Sequence, residues 1–92
     1  MTLNELFTII CEKRDHPAPG SYTSSLFSAG EDKIIKKVGE EAMEVILAAK
    51  GQTRQRLVEE VADLTYHTLV LLAEKGLTPD DIQEELERRH KK

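Results

Sequence analysis

The sequence predicts an all-α fold: a bundle of four helices with one irregular connection, completed by dimerisation. Three observations predict it. Charged residues make up 33% of the chain and aromatics 4%, with no Trp, a composition that suits helices and lacks the residues strands prefer. Apolar residues recur at three- and four-residue intervals along four stretches. A chain of 92 residues buries only a modest core by itself, and one of the four stretches is apolar nearly all round, which asks for a second subunit.

The first helix carries Leu3, Leu6, Phe7, Ile10 and Cys11 at helical spacing, with Thr2 as its cap, and ends near Asp15. Two prolines and a glycine in the run from His16 to Ser21 stop it there. The hydroxyl-rich segment that follows predicts only a short helical turn around Thr23 to Phe27, closed by Gly30. A longer helix is expected from about Glu31 to Ala49. Ile34, Val38, Ala42, Val45 and Ala49 form its stripe, and Gly51 is its terminator.

The next helix runs from about Thr53 to Lys75, with Leu57, Val61, Leu64, Thr68, Leu71 and Leu72 on one side. Tyr66, Leu69, Val70 and Ala73 occupy its other sides, so burial on more than one face is implied. Gly76 closes it. Thr78-Pro79-Asp80-Asp81 then supplies a capping hydroxyl, a proline at the first helical position and acids in the first turn. That last helix reaches about Arg89, and its basic end through Lys92 suits the negative pole of the dipole.

Composition also excludes function classes. The formal net charge of -4 argues against non-specific nucleic-acid binding. A single cysteine, Cys11, rules out an internal disulfide and fits a reducing compartment; its place on the apolar face of the first helix points to core. The amino terminus has no basic segment leading to a cleavage site, and no apolar run approaches the ~20 residues of a membrane span. A soluble, cytoplasmic protein is expected.

Two acidic clusters carry the chemistry: Glu40, Glu41 and Glu44 on one long helix, Glu59, Glu60 and Asp63 on the next. Glu41 and Glu44, like Glu60 and Asp63, are three residues apart and share a helix face. A short connection makes the two helices an antiparallel hairpin, so four carboxylates can face one another. A hard divalent cation relieves their repulsion, with Mg²⁺ the natural choice for oxygen ligands and phosphate substrates, and Mn²⁺ its substitute. Against this stands the plain alternative that such acids form a wet helix face, with Lys36 and Lys37 pairing to Glu40 and Glu41.

Lys33 and Lys37 fall on the flank of Glu41 and Glu44 and are favoured over Lys36 as phosphate partners, with surface ion pairs the competing use. Arg14, beside the irregular connection, is a second candidate for gripping phosphate. His67, one turn beyond Asp63, is expected to hydrogen-bond Asp63 or nearby backbone rather than a metal. Ser21, Tyr22 and Thr23 read as a turn and cap. Gly39, inside a helix, either permits a close approach or is simply tolerated.

The run Ser21-Tyr22-Thr23, then Gly30 to Ile34, then Lys36-Lys37-Val38-Gly39-Glu40-Glu41-Ala42, resembles the phosphoribosyl-ATP pyrophosphatase family. Glu60-Val61-Ala62-Asp63-Leu64, Tyr66-His67 and Leu69 to Leu72 share the likeness, which covers nearly the whole chain. The acid pattern also resembles the wider MazG-like, all-α nucleotide pyrophosphatases.

That resemblance implies a MazG-like bundle and homodimer that uses Mg²⁺ to hydrolyse phosphoribosyl-ATP, in histidine biosynthesis, to phosphoribosyl-AMP and pyrophosphate. It implies Glu41, Glu44, Glu60 and Asp63 as metal ligands, with Glu40 an adjacent candidate as ligand or supporting group; the chemistry of water attack on a triphosphate makes Glu41 or Glu44 the base. Substrate contacts then fall to Ser21, Tyr22 and Thr23 as well as Arg14, Lys33 and Lys37. A single domain over 1–92 leaves no room for the cyclohydrolase to which some relatives are fused. Two other readings keep their place: a house-cleaning hydrolase of non-standard nucleoside triphosphates, and a non-catalytic helical interaction module.

Overall fold

The computed structural model describes residues 1–91. Lys92, the end of the expected basic tail, lies outside them. Five helices follow one another with no strand among the described residues: α1 (Leu3–Asp15), α2 (Tyr22–Ala29), α3 (Glu31–Gly51), α4 (Arg54–Glu74) and α5 (Pro79–His90). The all-helical class agrees with the sequence, while the count of four is one short. The segment expected to make a turn is a full helix, α2. Ser21 caps it through a 3.1 Å bond from the Ser24 amide. Ser24 itself is buried, donating to the Lys13 carbonyl (3.0 Å) and accepting from the Ala18 amide (3.1 Å), so the proline-rich connection is pinned from both ends.

Local signals place the other ends. Thr2 and Glu5 form a reciprocal capping box at α1, and Thr78 and Asp81 form another at α5. Gly76 takes a positive φ of 73° after α4, where the Leu77 amide reaches the Leu72 carbonyl (2.8 Å) and the Gly76 amide reaches Ala73 (3.3 Å). Gly30, at φ 105°, makes the sharp joint between α2 and α3. α3 runs two residues past the expected Ala49 and has Gly51 as its last residue; Gln52 is in extended backbone (φ -118°, ψ -179°), and Thr53 caps the start of α4.

α3 and α4 form an antiparallel hairpin, the most extensive packing in the molecule. Its stripe on α3 also differs from expectation. Ile34 and Ala48 are buried, Val38 and Val45 half-buried, and Ala49 is exposed. Ala42 is half-buried as expected, and the line on which α3 brings Glu41 to α4 runs through Ile34, Val38, Glu41, Val45 and Ala48. Steps of four and three average 3.5 residues, the spacing of two helices wound on each other, where the expected stripe assumed a straight helix. Val61, assigned to the core side of α4, is 44% exposed, and Glu60 takes the buried place beside it.

The core joins Ile10, Leu26, Ile34, Leu69, Val70, Leu72 and Ala73, with Phe7, Cys11, Phe27 and Tyr66 packed around it. Full burial of Ile10, Leu26, Ile34 or Val70 contributes about 1.5–3 kcal/mol each. These residues come from α1, α2, the start of α3 and the end of α4. One end of the hairpin is thus wrapped, and its tip projects beyond the core.

Candidate functional site

Acids replace apolar residues at the middle of the hairpin seam. Glu41 lies seven residues from Ile34 and seven from Ala48, on the same buried line. On α4, Glu60, Asp63, His67 and Val70 follow at steps of three, four and three, so the seam changes from apolar to acidic toward the tip. Glu41, Glu60 and Asp63 each bring a carboxylate oxygen within 4.8 Å of the other two. Glu60 is 5% exposed, Glu41 half-buried and Asp63 exposed, which makes a cage closed on one side and open on the other. Three carboxylates this close, one of them buried, are costly without positive charge beside them. Three hard oxygen donors suit Mg²⁺ or Mn²⁺ and offer nothing to a softer metal.

Glu44, expected as the fourth ligand, is exposed one turn beyond Glu41 and stands outside this cluster of three. Glu40 is also outside it, paired with Lys37 at 3.6 Å.

α2 delivers its first residues to the turn of α4 that follows Asp63. His67 is buried, with Nδ1 2.7 Å from the Asp63 carbonyl oxygen and Nε2 2.8 Å from the Tyr22 hydroxyl. The backbone hydrogen bond expected of His67 is therefore present. Thr23, buried, pairs its hydroxyl with that of Tyr66, whose ring meets His67 edge-on. Burial first, then the nearby Tyr22, pushes the Tyr66 hydroxyl above the usual tyrosine range. Toward the core end of α3, Lys33, Lys36 and Lys37 line a cleft of about 480 Å³ with Asp32 and Glu40.

A profile of the phosphoribosyl-ATP pyrophosphohydrolase family matches residues 3–90. The chain belongs to this family. A phosphoribosyl-ATP pyrophosphatase of Listeria welshimeri is 57% identical over 90 residues, covering 98% of this chain and 86% of the relative. One from Clostridium botulinum is 51% identical over 90 residues, covering 98% and 82%. A histidine biosynthesis bifunctional protein HisIE of Caldanaerobacter subterraneus is 53% identical over 90 residues, and those residues make up 44% of its own length.

Within this phosphoribosyl-ATP pyrophosphohydrolase family member, not every expected contact sits at the acids. Arg14 is turned to the far end of α4, donating from Nη1 to the Ala73 carbonyl (2.7 Å) and from Nε to Asp15 (2.8 Å). Ala73 is ten residues past Asp63, or ~15 Å along the helix. Ser21 serves as the α2 cap.

Two residues stand differently from the sequence reading: Lys36, ranked there below Lys33 and Lys37, and Arg56, which that reading did not single out. Lys36 lines the same cleft as Lys33 and Lys37. Arg56 bonds Glu60 Oε1 from Nη2 (2.8 Å) and Glu59 Oε1 from Nη1 (2.5 Å). Gln55 and Arg56 together hold the Glu59 carboxyl below the usual range. In the sequence Arg56 is an ordinary i,i+4 partner; only the burial of Glu60 sets it apart.

Proposed function

We propose that this chain hydrolyses phosphoribosyl-ATP to phosphoribosyl-AMP and pyrophosphate, a step of histidine biosynthesis. In this reading Mg²⁺, replaceable by Mn²⁺, is held by Glu41, Glu60 and Asp63. The carrying observation is the convergence of those three acids on a helix seam where apolar residues would pack, in a chain of this family. When bound, the ion supplies charge neutralisation for the phosphates and acidifies a coordinated water.

The chain's own residues do the rest. Glu44, outside the cluster and solvent-exposed one turn beyond Glu41, accepts the proton of the attacking water. Water oxygen bonds to the phosphorus nearest the ribose, and the bond to the bridging oxygen of the pyrophosphate breaks. Lys33, Lys36 and Lys37 offset charge on the triphosphate. The Tyr22 hydroxyl, donating to His67, keeps its oxygen lone pairs for a substrate hydroxyl.

Pyrophosphate release tests this reading, measured on phosphoribosyl-ATP and on a panel of plain nucleoside triphosphates, with Mg²⁺ or with EDTA. Phosphoribosyl-ATP should turn over at least about tenfold faster than the panel, and EDTA should stop it. Equal turnover of the panel would favour a house-cleaning hydrolase. No turnover and no metal effect would favour an interaction module.

A homodimer belongs to the same proposal. Beyond the core, Met43, Ile46 and Leu47 of α3 and Val58 and Val61 of α4 are each at least 44% exposed, so the hairpin tip has an apolar surface without a cover. Gly39 lies four residues from both Ile35 and Met43, and a Cβ there would meet nothing within 4 Å. Inside one chain nothing offsets its helix cost of ~1 kcal/mol, whereas a second hairpin could approach closely there. Sedimentation equilibrium should give twice the 10.4 kDa chain mass, and Ile46→Glu should give the single mass. No helix among the described residues is long and apolar enough to cross a membrane, and the lone Cys11 packs at the core, in accord with a cytoplasmic setting.

A further inference from the structure

We propose that Arg56 is the resident counter-charge of the acid cluster, standing in for the divalent ion when the site is empty and lowering the site's affinity for it. This rests on the metal reading of Glu41, Glu60 and Asp63.

Glu60 is the most enclosed of the three acids, and its one hydrogen-bond partner among the described residues is Arg56 Nη2 at 2.8 Å. A carboxylate enclosed to that degree beside two others needs a positive neighbour for the hairpin to close. Arg56 supplies it from the rim. Its guanidinium is about half exposed and is tethered on the solvent side by Glu59, through Nη1 at 2.5 Å. One nitrogen thus faces the cage while the other is anchored outside it. With an ion on Glu60, the Nη2 bond is surrendered and the Glu59 bond holds the side chain as a pivot. Arg54, on the first turn of the same helix, makes no ion pair among the described residues, so proximity in sequence to the acids does not by itself produce this contact.

Two consequences follow from Coulomb's law. A fixed positive charge a few ångströms from a divalent ion weakens its binding. Removal of that charge also leaves the empty cage with uncompensated repulsion, which the ion then relieves. Both effects act in the same direction: without Arg56 the ion binds more tightly and the empty protein is less stable.

Arg56→Gln tests this, with Arg56→Lys as the charge-preserving variant and Arg54→Gln as the control for net charge. Mn²⁺ dissociation constants are read from the electron paramagnetic resonance signal of free ion, and unfolding temperatures are taken in EDTA and in saturating Mn²⁺. Arg56→Gln should bind Mn²⁺ roughly tenfold more tightly than the unaltered protein. It should melt about 4–8 °C lower in EDTA, with the gap closing in Mn²⁺. Arg56→Lys should stay within about threefold of the original affinity, and Arg54→Gln should match it. Equal or weaker binding by Arg56→Gln overturns the proposal and leaves the metal site standing. Absence of Mn²⁺ binding by the unaltered protein overturns the metal reading, and this proposal with it.

Discussion

The Tyr22 hydroxyl lies 2.8 Å from His67 Nε2, and the other ring nitrogen of His67 lies 2.7 Å from the Asp63 carbonyl oxygen. A backbone carbonyl only accepts, so Nδ1 carries a proton, and in the neutral ring Nε2 then accepts from Tyr22. Through this buried ring the start of α2 is tied to the turn of α4 that bears Asp63. Tyr22→Phe removes one hydrogen bond and should cost about 1 kcal/mol. His67→Ala removes both and leaves a cavity, and should cost about 2–4 kcal/mol. Urea unfolding followed by circular dichroism measures both; a Tyr22→Phe midpoint equal to that of the unaltered protein would mean the hydroxyl ties nothing.

Substitution of the acids should separate ion binding from proton transfer. Glu41→Gln, Glu60→Gln and Asp63→Asn should each lower pyrophosphate release by at least about a hundredfold and weaken Mn²⁺ binding, with helical content unchanged. Glu44→Gln should lower kcat by about the same factor while Mn²⁺ still binds. Loss of Mn²⁺ binding in Glu44→Gln would make Glu44 a ligand instead.

Arg14 fastens α1 to the last turn of α4 through the Ala73 carbonyl. Arg14→Ala should therefore cost about 1–2 kcal/mol of stability and leave KM within about twofold. A tenfold rise in KM at unchanged stability would return Arg14 to the phosphate-gripping role expected from the sequence.

Burial holds the Tyr66 hydroxyl above its ordinary value of 10. The unfolded chain ionises this group first as pH rises, so the contribution is complete below about pH 10 and is lost as pH climbs through the higher folded value. Unfolding midpoints between pH 8 and 11 should decline more steeply for the unaltered protein than for Tyr66→Phe. Parallel curves would show that Tyr66 ionises alike in both states.

Helices with strong local punctuation were readable from the chain alone. Thr2, Thr78 and Gly76 act at the positions their chemistry implies, because a cap needs only neighbours a few residues away. α2 was not readable as a helix, since what completes it is remote: Tyr22 to His67 and Thr23 to Tyr66 span more than forty residues. The acid pairs were visible, and Glu41, Glu60 and Asp63 do converge. Their grading was hidden. Glu41 on the seam and Glu44 off it follow from the 3.5-residue winding of the hairpin, a property of two helices together. Arg56 was hidden for the same reason, because an i,i+4 pair gains its meaning only from the burial of Glu60.

Anomalous X-ray scattering from crystals grown with Mn²⁺ locates the ion directly. A peak should lie between α3 and α4 with carboxylate oxygens of Glu41, Glu60 and Asp63 at ~2.0–2.3 Å, near the distances hard divalent ions take. A well-occupied peak elsewhere, or none at these three residues at saturating Mn²⁺, would contradict the metal-centred reading of this hairpin.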